Sequence, residues 1–339
     1  MKRSIIAALC GALAVLLVVG VRHFAFPPPP SPFISDAAKQ AAIDGPRSML
    51  PHLLDMMSSD IQRRRETLDT DYMAPRIAEA RKLYAVEIAA ETIDGVYTET
   101  ISPAGGVPPE NAKRVLMNLH GGGFSLGART EGQLESIPVA HIAQMKVIAV
   151  DYRQGPEHRF PAASEDVATV YRALLKSYTP QQIGIFGCSA GGILTAEAVA
   201  WFQKHDLPRP GAVGIFCASA GGIGEGDSRI ITDAFRVPPL GSGRLDYFEG
   251  ADMRDPLVSP VYSAEVLAQF PPTLIITATR DMAMSAALYT HQRLVASGVE
   301  ADLHVFEGLS HYFFADTGLP ESREAFAIMA RFFQKHLAP

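Results

Sequence analysis

From residue 96 to the C-terminus, short apolar runs alternate with longer helical stretches, and this alternation restricts the fold more than any other feature of the sequence. The apolar runs lie at 96–101, 114–119, 146–151, 182–186, 212–216, 273–277 and 302–306, the first of them alternating like an edge strand. Helical patterns occur at 162–175, 193–204, 284–297 and 321–336. Strands that alternate with helices are typical of a mainly parallel sheet covered on both faces. We therefore expect an α/β fold with a mainly parallel central sheet flanked by helices.

Two regions depart from this pattern. Residues 33–95 lack strong strand signals, and helices are predicted at 36–42, 49–65 and 75–90. Residues 222–260 contain the stretches GIGEG, VPPLGSG and DMRDP and show little periodicity. Because a long insertion in an α/β core often forms a lid or a binding region, we expect 33–90 and 222–260 to form a helical cap. The cap belongs to a single domain that spans 33–339.

The first 32 residues are predicted to lie outside that domain. Lys2 and Arg3 precede an uncharged apolar run at 5–21, and a proline-rich spacer follows at 27–32. A membrane-spanning helix needs about 17–25 apolar residues, so the run predicts a membrane anchor, with a cleaved signal peptide as the alternative. Positive charge before the run places the main domain beyond the membrane. The protein is therefore expected to be exported, and to be secreted or periplasmic if the N-terminus is cleaved.

Charge and cysteine content argue against a nucleic-acid partner, a disulfide framework and a metal site. The chain has a formal net charge of −6, and its basic cluster at 63–65 is followed at once by acidic residues. Nucleic-acid binding needs a basic face, so no nucleic-acid partner is expected. The cysteines, Cys10, Cys188 and Cys217, form neither a disulfide framework nor a metal-ligand pattern. An oxidised pair of Cys188 and Cys217 is conceivable, although two small buried residues are the favoured interpretation.

Two nearly identical stretches each offer a serine nucleophile, GIFGCSAGG at 184–192 and GIFCASAGG at 214–222. A G-x-S-x-G elbow holds its serine at a sharp turn between a strand and a helix, and glycines on either side relieve the crowding there. Ser189 has both glycines and a helical sequence after it. Ser219 has Cys217 in place of the first glycine, and GGIGEGD, which cannot sustain a helix, follows it. Ser189 is therefore the predicted nucleophile, and Ser219 a small residue at a strand end.

A second glycine-rich stretch, HGGGF at 120–124, follows the predicted strand at 114–119. A phosphate-binding loop is excluded because the pattern G-x-x-x-x-G-K-[ST] does not occur. A strand that ends in His-Gly-Gly-Gly upstream of an elbow instead favours a loop whose backbone N–H groups stabilise an oxyanion.

Together these motifs resemble the hormone-sensitive-lipase-like branch of the α/β-hydrolases, the bacterial HGGG esterases. The resemblance covers roughly 96–337 and rests on HGGGF, DYRQGPEHRFPAASED at 151–166, GCSAGG at 187–192, the aspartate after TLIITATR, and EGLSHYFF at 307–314. It implies three catalytic residues: Ser189 as nucleophile, His311 as base and Asp281 as the acid that orients it. It also implies an oxyanion hole formed by the N–H groups of Gly122, Gly123 and Ala190, and substrate contacts by His120, Phe124 and Tyr312.

The order of elements supports the two partners of the serine. Asp281 follows the predicted strand at 273–277, which places it at the carboxyl edge of the sheet, and His311 follows the last predicted strand by a short loop. Asp255 and Asp316 are alternatives to Asp281 as the acid, but each is predicted to lie in a poorer position to reach His311.

The sequence departs from the family pattern in three places. Cys188 stands where the family has an aspartate, which removes a carboxylate beside the nucleophile. The segment MAMSAALY after Asp281 lacks the usual acidic residues, and Tyr312 stands where glycine is usual, which predicts a bulkier pocket wall.

The expected function is that of a serine carboxylesterase, acting on small-molecule esters with short to medium acyl chains and needing no cofactor or metal. A lactone hydrolase with the same triad is an alternative, and an amidase or peptidase is a weaker one. A non-catalytic ligand-binding homologue is disfavoured because His311 is present. The sequence does not indicate the oligomeric state.

Overall fold

The structure is a computed structural model that describes residues 29–221, 225–233 and 246–339. Its strands are β1 Val86–Ile93, β2 Val96–Pro103, β3 Val115–Leu119, β4 Lys146–Val150, β5 Ile183–Cys188, β6 Ala212–Phe216, β7 Thr273–Arg280 and β8 Ala301–Ser310. They form one sheet in the order β1-β2-β4-β3-β5-β6-β7-β8. The pairs β1–β2 and β2–β4 are antiparallel, and the other neighbouring pairs are parallel. The predicted mainly parallel sheet is therefore confirmed.

Helices flank the sheet. Those in the described residues are α1 Asp36–Met49, α2 Leu53–Met56, α3 Ile61–Thr67, α4 Ala74–Leu83, α5 Thr130–Ala143, α6 Ala162–Leu174, α7 Ala190–Lys204, α8 Asp227–Asp233, α9 Ala264–Leu267, α10 Met284–Ala296 and α11 Pro320–His336. A π-helical segment, Leu68–Met73, joins α3 to α4.

The core lies on both faces of the sheet. Along β3, Val115, Met117 and Leu119 join the core on one face, whereas Leu116 joins the core on the other, because successive side chains of a strand point to opposite faces. Every residue of β3, β5 and β6 is buried, as expected for parallel strands between two helical layers. The carboxyl ends of these strands therefore share one edge of a rigid sheet.

One predicted helix is wrong in its second half. The helix predicted at 75–90 ends at Leu83, and the edge strand β1 begins at Val86; the run at 96–101, predicted at the edge, is thus the second strand. Asp94 and Gly95 join β1 to β2 with φ of 47° and 92°, and a type I′ hairpin turn requires such positive values. Because β1 pairs with β2 along its whole length, the hairpin outweighs the helical propensity of EIAAE at 87–91.

The helix predicted at 49–65 is also divided. α1 ends at Met49, and α3 begins only at Ile61, where the Asp60 carboxylate accepts a hydrogen bond from the Gln62 N–H at 2.9 Å. A 3₁₀ turn at Leu50–His52 and the short helix α2 lie between α1 and α3.

The N-terminal helices are attached to loops at the carboxyl edge of the sheet. Arg65 of α3 donates hydrogen bonds to the carbonyl oxygens of Ser125 and Gly155, both at 2.9 Å. The Tyr84 hydroxyl, just after α4, donates to the carbonyl oxygen of Thr317 at 2.9 Å. These contacts favour a cap at this edge, but the cap stays a prediction, since 222–224 and 234–245 lie outside the described residues.

No helix in the described part of the chain is long and apolar enough to cross a membrane. The apolar run at 5–21 lies outside the described residues. The anchor, the cleaved signal and the export of the protein therefore stay predictions.

Candidate active site

Ser189 lies at a sharp turn between β5 and α7. The strand ends at Cys188, the helix begins at Ala190, and Ser189 between them has φ of 54° and ψ of −120°. A non-glycine residue with this backbone is strained, and such strain is concentrated at functional sites. A Cβ at Gly187 would overlap the carbonyl oxygen of Leu119 and the backbone of Gly191. The turn therefore closes only around glycine, which explains the G-x-S-x-G spacing.

Ser189, His311 and Asp281 form one line of hydrogen bonds. The Ser189 Oγ lies 3.0 Å from Nε2 of His311, and Nδ1 of His311 lies 2.7 Å from Oδ1 of Asp281. Because a carboxylate only accepts hydrogen bonds, Nδ1 carries the proton and Nε2 accepts from the serine hydroxyl. The structure thus brings together three residues from the ends of β5, β7 and β8.

Asp281 is fully buried, and its carboxylate accepts hydrogen bonds from other groups besides His311. Its Oδ2 accepts from the Thr277 hydroxyl at 2.9 Å, and its Oδ1 accepts from the Ala283 N–H at 2.8 Å. Burial acts to raise the pKa of Asp281, but the charge of His311 and the hydrogen bonds from His311, Ala283 and Thr277 outweigh it and hold the pKa below its usual value. The carboxylate is therefore ionised at neutral pH and able to stabilise a charged imidazole.

The competing residues lie elsewhere in the hydrogen-bond network. Ser219 is buried, and its hydroxyl donates to the carbonyl oxygen of Gly221 at 2.6 Å. Asp255 accepts from the N–H of Leu257 in its own turn at 2.9 Å, and Asp316 pairs with Arg76 at 3.4 Å. None of the three competitors bonds to His311.

The three backbone donors predicted for an oxyanion hole lie in two segments. Gly122 and Gly123 follow β3 with φ of 88° and 62°, and a Cβ at Gly122 would overlap the carbonyl oxygen of Leu126. Ala190 is the first residue of α7, where the helix dipole favours negative charge. Among the described residues, no protein group accepts a hydrogen bond from the N–H of Gly122, Gly123 or Ala190.

His120 and Phe124 are buried and present little surface to a substrate. The His120 ring stacks on Tyr152 at 4.2 Å between centroids, and burial lowers its pKa, so the neutral ring donates from Nδ1 to the carbonyl oxygen of Gly121 at 2.9 Å. Phe124 stacks on Tyr247 at 4.8 Å. A substrate contact by either side chain therefore stays a prediction.

Tyr312 has a supporting contact that the sequence did not indicate. It has φ of 55°, and its N–H donates to Sγ of Cys217 at 3.3 Å. Its hydroxyl oxygen is buried and has no hydrogen-bond partner among the described residues. Tyr312 follows His311 directly, so Cys217 supports the loop that carries the histidine.

Glu135 lies near the serine, and no motif in the sequence indicated it. Its carboxyl group accepts from the N–H of Gly121 at 3.1 Å, from the N–H of Cys188 at 3.3 Å and from the Asn118 amide at 2.8 Å. The sequence signal is weak, since an acidic residue in the apolar helix TEGQLESIPVAHIA does not reveal its partners. A carboxyl group thus reaches Cys188 from α5, although position 188 itself carries none.

One group of side chains offers metal-ligand atoms. Cys217, Asp281 and His311 each bring one such atom within 4.8 Å of the others, and zinc uses thiolate, carboxylate and imidazole ligands. Asp281 and His311 already bond to each other in the hydrogen-bonded line, and Sγ of Cys217 accepts the N–H of Tyr312.

Comparison with known proteins shows the family of this chain. The family model of the alpha/beta hydrolase fold matches residues 116–315. The crystal structure of esterase E25 has 33% sequence identity and a TM-score of 0.79, and the match covers 91% of this chain and 97% of that one. An acetyl-hydrolase of Streptomyces hygroscopicus is 28% identical over 231 residues, which are 66% of this chain and 77% of the relative.

A more distant structure has the same fold. It is that of an esterase from the bacterial hormone-sensitive lipase family, with 24% identity and a TM-score of 0.72 over 85% of this chain and 98% of that one. The family match spans more than half of this chain, and the relatives are named as esterases and hydrolases. This chain therefore belongs to the α/β-hydrolase fold family and is a carboxylic ester hydrolase.

Proposed function

We propose that the protein is a serine carboxylesterase that hydrolyses short- to medium-chain carboxylic esters through an acyl-enzyme. The observation that carries this proposal is the line of hydrogen bonds from Ser189 through His311 to the buried Asp281. A serine hydroxyl is a weak nucleophile unless a neighbouring base removes its proton. Nε2 of His311 is positioned to be that base.

In the acylation step, the Ser189 Oγ attacks the ester carbonyl carbon while its proton passes to Nε2 of His311. Asp281 holds the imidazole in this orientation and stabilises its charged form. The N–H groups of Gly122, Gly123 and Ala190 receive the oxyanion, and one such donor contributes about 10²–10³-fold to the rate. The alcohol then leaves with the proton from His311.

In the deacylation step, water takes the place of the alcohol. The water oxygen attacks the acyl carbon while His311 accepts a proton from the water. The same donors stabilise the second oxyanion. The proton returns to Ser189 Oγ when the carboxylic acid leaves. Apart from the ester and the water, every group named in these two steps belongs to this chain.

Two observations support a small acyl group. The Streptomyces relative is named as an acetyl-hydrolase. Tyr312 lies directly after His311, at a position where the family that the sequence resembles usually has glycine. We infer that the larger side chain leaves less room for an acyl chain beside the base, which favours short chains over long ones.

Hydrolysis of p-nitrophenyl acetate, butyrate, octanoate and palmitate by the full chain, by Ser189→Ala and by Ser219→Ala tests the proposal. Ser189→Ala should lower kcat/KM by about 10⁴-fold or more. Ser219→Ala is the matched control and should change it by less than about tenfold, because it removes one hydrogen bond. Palmitate should be the slowest substrate.

Labelling with diethyl p-nitrophenyl phosphate gives an independent result. The phosphoryl group should attach to one serine, and peptide mass analysis should locate it at Ser189. Undiminished activity of Ser189→Ala would contradict the proposed nucleophile. Palmitate hydrolysis as fast as butyrate hydrolysis would contradict the chain-length proposal and leave the mechanism in place.

A further inference from the structure

The carboxyl group of Glu135 joins the two segments that carry the oxyanion donors. Its Oε1 accepts from the N–H of Gly121, which precedes Gly122 and Gly123. Its Oε2 accepts from the N–H of Cys188, which precedes Ser189 and Ala190. One side chain therefore contacts the residue directly before each half of the site.

Glu135 acts just beyond the end of the ladder between β3 and β5, while Cys188 itself still pairs with Phe216 of β6. The parallel pairing of β3 with β5 ends at the partners Leu119 and Gly187, and Gly121 and Cys188 lie beyond it. Backbone N–H groups that are buried need an acceptor. The Glu135 carboxyl group supplies one to each strand, so it continues the connection between β3 and β5 past the last ladder hydrogen bond.

The carboxyl group is itself fixed. Glu135 is 3% exposed on α5, and the Asn118 amide on β3 donates to its Oε2 at 2.8 Å. A buried acidic group is unfavourable for folding, because it loses its hydration. A leucine at this position would fill space without that penalty, so packing alone does not account for the acid.

We propose that Glu135 is a positioning residue for ester hydrolysis, which sets the separation between the Gly122–Gly123 donors and the Ser189–Ala190 turn through its two oxygens. The proposal rests on the function proposed above. A misplacement of about 1 Å in such a constellation lowers rates by about 10²-fold, so loss of this link should affect the transition state more than substrate binding.

Glu135→Gln tests the proposal, with Glu197→Gln as the control. Glutamine keeps the size of the side chain but has one acceptor oxygen, and its NH₂ group faces the other N–H. Glu197 is also fully buried, lies on α7, and has no hydrogen-bond partner for either carboxyl oxygen among the described residues. The control therefore removes a buried acid without removing a link between loops.

The measurements are kcat and KM on p-nitrophenyl butyrate and the Ki of a trifluoromethyl ketone of matched chain length. Ser189 Oγ bonds to the carbonyl carbon of this ketone while the serine proton passes to His311. The carbonyl oxygen becomes an oxyanion that lies among the backbone donors. Glu135→Gln should lower kcat by about 10–100-fold and change KM by less than about threefold. The Ki should rise by the same factor by which kcat/KM falls, and Glu197→Gln should leave both within about threefold.

Several outcomes would overturn the proposal. Unchanged kcat in a folded Glu135→Gln protein would do so, and so would a lower kcat with an unchanged Ki. If Glu135→Gln does not fold, Glu135→Asp, which is too short to reach both N–H groups, should give the same loss of kcat. Failure of both to fold would assign the acid to folding alone. An unmutated protein inactive on every ester would instead contradict the proposed function.

Discussion

The two Ser-Ala-Gly-Gly segments follow neighbouring strands of the same sheet, yet their serines have opposite surroundings. Ser189 follows β5 with φ of 54°, and its hydroxyl lies 3.0 Å from His311. Ser219 follows β6, is 3% exposed, and donates to the carbonyl oxygen of Gly221. A shared motif therefore does not assign a role, and the backbone that each copy adopts does.

The two copies differ first at one residue, Gly187 in the first and Cys217 in the second. At position 187 no Cβ fits, because Leu119 and Gly191 fill the space with backbone atoms. At position 217 a side chain is accommodated, and its Sγ accepts the N–H of Tyr312. The second copy thus contacts the histidine loop, while the first presents the proposed nucleophile.

The largest effect is expected from breaking the first copy at this residue. Gly187→Ala places a methyl group against the Leu119 carbonyl and the Gly191 backbone. We expect a loss of about 3 kcal/mol in unfolding free energy from overpacking. We also expect at least about 10²-fold lower kcat/KM, because Ser189 must move. Urea unfolding and p-nitrophenyl butyrate hydrolysis measure the two effects.

Gly45→Ala is the matched control for this substitution. A Cβ at Gly45, on α1, would meet no atom within 4 Å, and alanine is the better helix former by about 1 kcal/mol. This variant should be as active as the unmutated protein and at least as stable. Equal activity of Gly187→Ala would show that the glycine is not what separates the two copies.

A smaller effect is expected from Glu131 on α5, whose carboxyl group lies against the glycine loop after β3. The carboxyl group of Glu131 lies against Gly121 and Gly127, and burial, followed by the charge of Asp69, raises its pKa to about 8 from an ordinary value of 4.5. The folded state thus holds a proton that the unfolded state releases between these two values. The contribution of this group to stability is complete below pH 4.5 and is lost as the pH rises towards 8.

Glu131→Gln should remove this pH dependence. The variant should gain stability over the unmutated protein as the pH rises from 5 to 8, by roughly 1–3 kcal/mol at the upper end. Urea unfolding at pH 5, 6, 7 and 8 measures the difference. Glu265→Gln, at an exposed position on α9, is the control. Parallel stability profiles for Glu131→Gln and the unmutated protein would contradict the raised pKa.

The features that the sequence predicts correctly are local ones. The glycine spacing around Ser189 is a local steric requirement, so the sequence alone predicts the position of the turn. The buried parallel strands appear as continuous apolar runs, because both of their faces are covered. Strand β1 was missed because EIAAE is also a good helical sequence, although Asp94-Gly95 was a usable hairpin signal.

Long-range contacts could not be predicted in this way. Glu135 lies 14 residues from Gly121 and 53 from Cys188, and no periodicity connects such positions. Phe124 was predicted at the substrate, but Tyr247, which stacks on it, comes from a segment with little pattern. These contacts depend on how the loops at the carboxyl edge fold over one another, and local patterns carry no information on that arrangement.

The smallest effect is expected at the residue that distinguishes the second copy. Cys217→Ala removes the Sγ that accepts the Tyr312 N–H and leaves that donor without its partner. The loss of such a hydrogen bond amounts to about 1 kcal/mol, so kcat should fall by about fivefold. Cys188→Ala is the control, since it keeps the backbone N–H that donates to Glu135, and it should change kcat by less than about twofold. Equal effects of the two cysteine variants would mean that Cys217 does not support the histidine loop, whereas a loss as large as that of Gly187→Ala would make both copies essential to one site.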